Sequence, residues 1–136
     1  MSDPTRPDFI KKAIPPPEVK QGQRLPAKIE AIELEDGQYG EQWKFDLELE
    51  NGYKTRAWIK HYDEPSEASS LGILCINLCN TLDIFHDRPH DYLKDLKDYG
   101  MVLLECKGHR VHEGKTYPKF KLVPEILPAK REQVKF

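Results

Sequence analysis

Apolar and polar residues alternate on both sides of Asn51-Gly52, and this stretch, residues 42–60, is the clearest structural signal in the chain. Asn-Gly between two alternating runs predicts a β-hairpin, because both residues accept the positive φ of a tight turn. On the first arm Trp43, Phe45, Leu47 and Leu49 share one face, and Lys44, Asp46 and Glu48 share the other. On the second arm Thr55, Ala57 and Ile59 can face a core, which leaves Lys54, Arg56, Trp58 and Lys60 outside. An indole among three cations on an outward face suits base stacking beside phosphate. The structural alternative is a Trp58 partly covered by aliphatic Lys stems.

Upstream, residues 24–35 read as a long first strand. Leu25, Ala27 and Ile29 alternate, and then the parity shifts to Ile32 and Leu34. A parity change inside one strand predicts a bulge or sharp coil, which lets it serve two parts of a curved sheet. The glycines of Asp36-Gly37-Gln38-Tyr39-Gly40 suit a tight connection to the second strand.

After Lys60 the period becomes helical. Leu71, Leu74, Cys75, Leu78, Cys79 and Leu82 form one apolar stripe. Pro65 suits the first helical position, with Glu64, Ser66 and Glu67 at the positive end of the helix dipole. A second helix is expected after Pro89, burying Tyr92, Leu93, Leu96 and Tyr99 and stopping at Gly100.

Period two then returns. Val102, Leu104 and Cys106 alternate up to Gly108, with Lys107, His109 and Val111 on the other parity and Gly114 as the turn residue. Residues 117–123 form the last strand, Phe120 and Leu122 inward, Lys119 and Lys121 outward. Pro118 lacks an N–H and belongs at an edge or at the strand's start. Three strands, a helical connection and two strands give an all-β class with a helical insert. The expected architecture is a five-stranded OB-fold barrel with helices between strands three and four. An SH3-like barrel has no room for about forty residues of helical connection.

The chain divides into a proline-rich flexible arm (1–22), the OB-fold domain (23–128) and a basic tail (129–136). Pro4, Pro7 and Pro15-Pro16-Pro17 keep the arm extended, with Lys11, Lys12 and Lys20 either contacting a partner or merely solvating a tether. At 136 residues and 38% hydrophobic, one domain with a real core is expected. No run is long enough to cross a membrane, and residues 1–12 lack the apolar stretch of a secretory signal. Three cysteines, Cys75, Cys79 and Cys106, without a scaffold pattern fit reduced thiols and a cytoplasmic location.

A net charge of -2 argues against a generic polyanion binder, but it conceals an asymmetry. Residues 61–100 carry 3 basic and 8 acidic side chains, whereas residues 101–136 carry 8 and 4. A basic surface held apart from an acidic one can still bind nucleic acid, because the local potential governs binding.

GQYGEQWKFDLELENG, then RAWI, an acidic Pro-Ser link to a helix and a closing G-x-x-YPKF strand resemble the small OB-fold single-stranded-DNA-binding proteins of phages and archaea. The resemblance covers roughly residues 22–128. It implies binding of single-stranded DNA with little sequence preference, in replication, recombination or repair. One feature departs: Phe136 ends the chain behind Lys130, Arg131 and Lys135, the wrong charge for the acidic, Phe-tipped tail of bacterial relatives. Tip-mediated recruitment of partners is therefore not carried over.

OB-folds bind across the outer faces of strands two and three and the flanking loops. Here that surface is Lys44, Lys54, Arg56, Trp58 and Lys60, with Tyr39 at one loop and His112, Lys115 and Tyr117 at the other. Lys107, His109, Arg110, Lys119 and Lys121 extend it along the last two strands. Asp46 and Glu48 oppose a phosphate track: either they confine it to the strand-three side or they argue against nucleic-acid binding at this face. RNA would use the same face, since nothing here selects for a 2′-OH.

Catalysis and cofactors are not expected. No G-x-S-x-G, H-E-x-x-H or Walker-type loop is present. Cys75 and Cys79, one helical turn apart, lie in the apolar stripe as core residues and have no matching histidine pair for zinc. Asp83, Asp87, Asp91, Asp95 and Asp98 lie on or around a surface helix, as a solvated face or a dock for a basic partner. The latter supports the other reading, a scaffold subunit of a replication or repair complex.

Overall fold

One strand, β1 (Arg24–Gly37), joins both halves of the sheet. Its first half pairs antiparallel with β4 (Met101–His112) and its second half with β2 (Gly40–Glu48). The register shifts between Ile29 and Ala31, so the parity change in the sequence is a bulge, with Glu30 as the extra residue. In this computed structural model, which describes residues 13–126, β3 (Lys54–Lys60) continues from β2 and β5 (Lys115–Val123) from β4. The five-stranded sheet runs β3-β2-β1-β4-β5. Its edges β3 and β5 approach within 8 Å between Cα atoms, yet no ladder joins them, so the sheet is not closed into a barrel.

The core lies inside this curl. Ala27 and Ile29, Phe45 and Leu47, Ala57 and Ile59, Leu104 and Cys106, and Phe120 and Leu122 all face inward. Leu71, Leu74 and Leu78 of α1 (Ser70–Leu82) and Leu93 and Leu96 of α2 (Pro89–Tyr99) complete it. α2 follows the sequence expectation, with Pro89 opening it and Gly100, φ 88°, closing it.

α1 begins later than Pro65. Ser69 is the N-cap, its Oγ accepting from the Gly72 N–H at 3.0 Å, while Ser69 donates its own N–H and hydroxyl to Ser66 O. That capped turn takes precedence over a proline start, so Glu64 and Glu67 lie outside the helix and the first turn carries no acid.

The β2–β3 turn is also longer than a two-residue Asn-Gly turn. Gly52 N–H closes onto Leu49 O and Leu49 N–H onto Tyr53 O, leaving Glu50, Asn51 and Gly52 as a three-residue loop. Gly52, φ 88°, takes the left-handed position that such a loop requires. The two-residue turn appears instead between β4 and β5, at Glu113-Gly114, both with positive φ.

Of the expected flexible arm, residues 13–22 pack against the sheet. Val19 is buried, and its carbonyl accepts from His109 Nε2 at 2.9 Å. Asn51 Nδ2 donates to Pro15 O, and the Ile14 side chain lies over Gly52. Lys11, Lys12, Pro128 and the basic tail with Phe136 lie outside the described residues.

Candidate nucleic-acid interface

The open seam between β3 and β5 is a groove of about 910 Å³. Alternation along β3 turns Ala57 and Ile59 into the core and Lys54, Arg56 and Trp58 outward, and the latter three line the groove together with Thr55. Lys119, Lys121 and Tyr117 line it from β5, and Lys107 and Arg110 from β4. Gly108 marks a second register shift, between Cys106 and Gly108, at the place where Lys107 enters the groove. Eight of the residues expected from the sequence thus meet in one concavity.

Trp58 is 47% exposed, and its Nε1–H donates to Glu35 Oε1 at 2.8 Å. Glu35 also accepts from Gln42 Nε2 at 3.0 Å. The Gln42 bond, then the Trp58 bond, hold the Glu35 carboxyl below its ordinary pKa. The indole therefore presents a ring face from a fixed edge, which is what a stacking platform needs.

Several cations are already committed. Lys54 Nζ lies 2.8 Å from Glu30 and 3.0 Å from Glu48, and these carboxylates raise its pKa. The bulge is what brings Glu30 there. Arg56 Nε lies 2.7 Å from Asp46 Oδ1, and Lys121 Nζ lies 3.0 Å from Glu105. Glu105 is held below its ordinary pKa by Lys121 and then Arg24. Among the described residues Lys107 and Lys119 have no ion-pair partner, and the Arg110 guanidinium sits 5.9 Å from the Tyr117 ring centroid.

Six expected residues lie outside the groove lining. Tyr39, 82% exposed, occupies the tip of the β1–β2 turn. Lys44, directly across from Trp58, is drawn toward Glu33 at 3.4 Å and Glu35 at 3.9 Å. Lys60 lies over the Tyr62 ring, Lys115 follows the β4–β5 turn, and His109 is tied to Val19. His112, named beside them, lies 3.9 Å from Glu113.

The groove also contains Tyr53 and Glu30, which sequence reasoning missed. Tyr53 is one residue past Asn51-Gly52, and the three-residue loop turns it into the seam. Its signal was an aromatic at a hairpin shoulder.

Among the described residues no cluster of three or more His, Cys, Asp or Glu side chains could hold a metal. Burial pushes the Cys75 thiol up to about 11, which disfavours a thiolate ligand. No helix among the described residues is long and apolar enough to cross a membrane. No family model matches this chain, and no curated protein matches it either.

Proposed function

We propose that this chain is an OB-type, non-enzymatic module that binds single-stranded DNA with little sequence preference, serving replication, recombination or repair in the cytoplasm. The observation that carries this reading is the groove between β3 and β5, where Trp58, Tyr53 and Tyr117 share one concavity with Lys107, Arg110 and Lys119. Aromatic rings beside cations bind single strands, because each base offers a π-face worth about 1–3 kcal/mol while the cations neutralise phosphate. The strand order supports the architecture: a five-stranded sheet open only between β3 and β5 is consistent with a partly open OB barrel.

The test is titration of intrinsic tryptophan fluorescence with a mixed-sequence oligodeoxynucleotide at low salt, repeated with Trp58→Phe. Trp43 is buried and reports the fold, while Trp58 reports the groove. Saturable quenching that is lost in Trp58→Phe and weakens with salt supports the reading. An unchanged signal without a gel shift refutes it. A matched RNA oligomer separates the two nucleic acids.

A second reading, a protein-interaction subunit, is favoured by one observation. Phe85 is 77% exposed in the link between α1 and α2, beside Asp83 and Asp87. If that reading holds, the groove variants leave partner binding intact and Phe85→Ser abolishes it.

A further inference from the structure

The outward face of β3 does not end with the groove. Beyond Trp58 it carries Lys60, and the His61 N–H, bonded to Glu41 O, extends the pairing with β2 by one residue. His61 turns inward and is buried, its Nδ1 accepting from Trp43 Nε1, so Tyr62 turns outward and is 41% exposed. Lys60 Nζ lies 5.3 Å from the Tyr62 ring centroid. Among the described residues no carboxylate pairs with Lys60, whereas Lys44, Lys54 and Arg56 on the same surface are all engaged by acids. A lysine over a tyrosine is by itself an ordinary surface contact. This one continues the line of Trp58, four residues further along an extended chain and about 13 Å away. That interval is about four stacked nucleotides at about 3.4 Å each, and fewer in a strand drawn out over a protein surface.

We infer that Tyr62 is a second stacking position for the single strand, with Lys60 neutralising a phosphate between it and Trp58. The inference rests on the single-strand reading above and adds to the groove a subsite for one further base. Every base has a π-face, so this subsite adds affinity without choosing a sequence. The Lys60 stem is long enough to swing from the ring to a phosphate, which vacates the ring face for the base. Tyr62 is presented from a fixed point, because the residue before it is held in the core by the Trp43 bond. Asp63 and Glu64 follow at once, and their charge ends the phosphate track at Tyr62.

The experiment measures by polarisation the affinity of a fluorescently labelled oligo-dT of about twelve nucleotides, a length within the site sizes of OB-folds. Tyr62→Ala should weaken binding about ten-fold, which corresponds to about 1.4 kcal/mol and lies within the range for one stacked base. Tyr62→Phe keeps the ring and should stay within about two-fold of the wild type. Lys60→Ala should flatten the salt dependence by one phosphate contact, a slope change of about 0.7. Fluorescence then reads the position directly. In Trp58→Phe, whose ring preserves binding but not the signal, a further Tyr62→Trp substitution should restore quenching by the oligonucleotide. Wild-type affinity in Tyr62→Ala, an equal loss in Tyr62→Phe, or an introduced indole that stays unquenched overturns the inference while leaving binding in the groove in place. Failure of the wild type to bind overturns the single-strand reading itself, and the inference with it.

Discussion

Trp58 Nε1 donates to Glu35 Oε1 at 2.8 Å, across the whole width of β2. An exposed indole ordinarily samples several rotamers, and ordering it on a ligand costs entropy. Here β1 supplies the acceptor, Gln42 shares it, and the ring is held before any ligand arrives. The residue with most to offer a base is therefore positioned by a strand that does not reach the groove at that point.

This bond should make Trp58 acid-sensitive. Glu35 has a folded pKa below its ordinary value of 4.5, caused first by Gln42 and then by Trp58. With a lowered folded pKa, its stabilisation is fully present above pH 4.5 and is lost as pH falls through the folded value. Tryptophan emission should shift in that acid window in the wild type. In Glu35→Gln, which keeps an acceptor but has nothing to protonate, the shift should disappear.

What the sequence made legible followed from periodicity. The hairpin faces, the bulge before Ile32 and the α1 stripe each concern one element and its own core-facing side, so the sequence alone carries them. The start of α1 was not legible, because it depends on three small residues, Ser66, Ser69 and Gly72, closing on one another. Residues 13–22 read as part of an arm from their prolines, and Val19 among them is a core residue that no periodicity announces. The site was half legible. Alternation placed Lys54 and Arg56 on the outward face that lines the groove, but only the cross-strand register shows that Glu30, Glu48 and Asp46 already engage them.

Gly72→Ala should destabilise the fold even though alanine is the better helix former. A Cβ at Gly72 would sit 1.9 Å from Ser66 O, a backbone atom held by Ser69. The helix propensity gain of about 1 kcal/mol cannot offset moving that carbonyl. A net loss on the order of 1–3 kcal/mol is expected in urea denaturation. A more stable variant would show that the 66–69 turn yields freely.

Trp43 and His61 give a second stability test. Buried Trp43 Nε1 donates to His61 Nδ1 at 3.0 Å, so His61 carries its proton on Nε2, which faces Asp63 at 2.9 Å. His61→Phe should leave the Trp43 N–H buried without a partner, costing about 1–3 kcal/mol. Asp63→Asn should cost far less, since the Asp63 side chain is 91% exposed and the loss of its bond is made up by water. A loss from Asp63→Asn as large as that from His61→Phe would mean that the Asp63 contact, and not the Trp43 bond, carries the contribution of His61.

The division of the groove's cations predicts which of them the salt dependence will count. Binding a phosphate releases its condensed counterion, and for single strands each contact contributes about 0.7 to the slope of log affinity against log salt. Lys107 and Lys119 are unpaired among the described residues, so each has a charge to give. Lys54 instead sits between Glu30 and Glu48, and a phosphate approaching it meets two carboxylates first. Lys107→Ala and Lys119→Ala should therefore each flatten the slope by roughly 0.7, while Lys54→Ala should leave it nearly unchanged. The measurement is oligonucleotide affinity at four or five salt concentrations for each variant. A Lys54→Ala slope as flat as that of Lys119→Ala would mean that DNA displaces Glu30 and Glu48, and that the phosphates run along β3 after all.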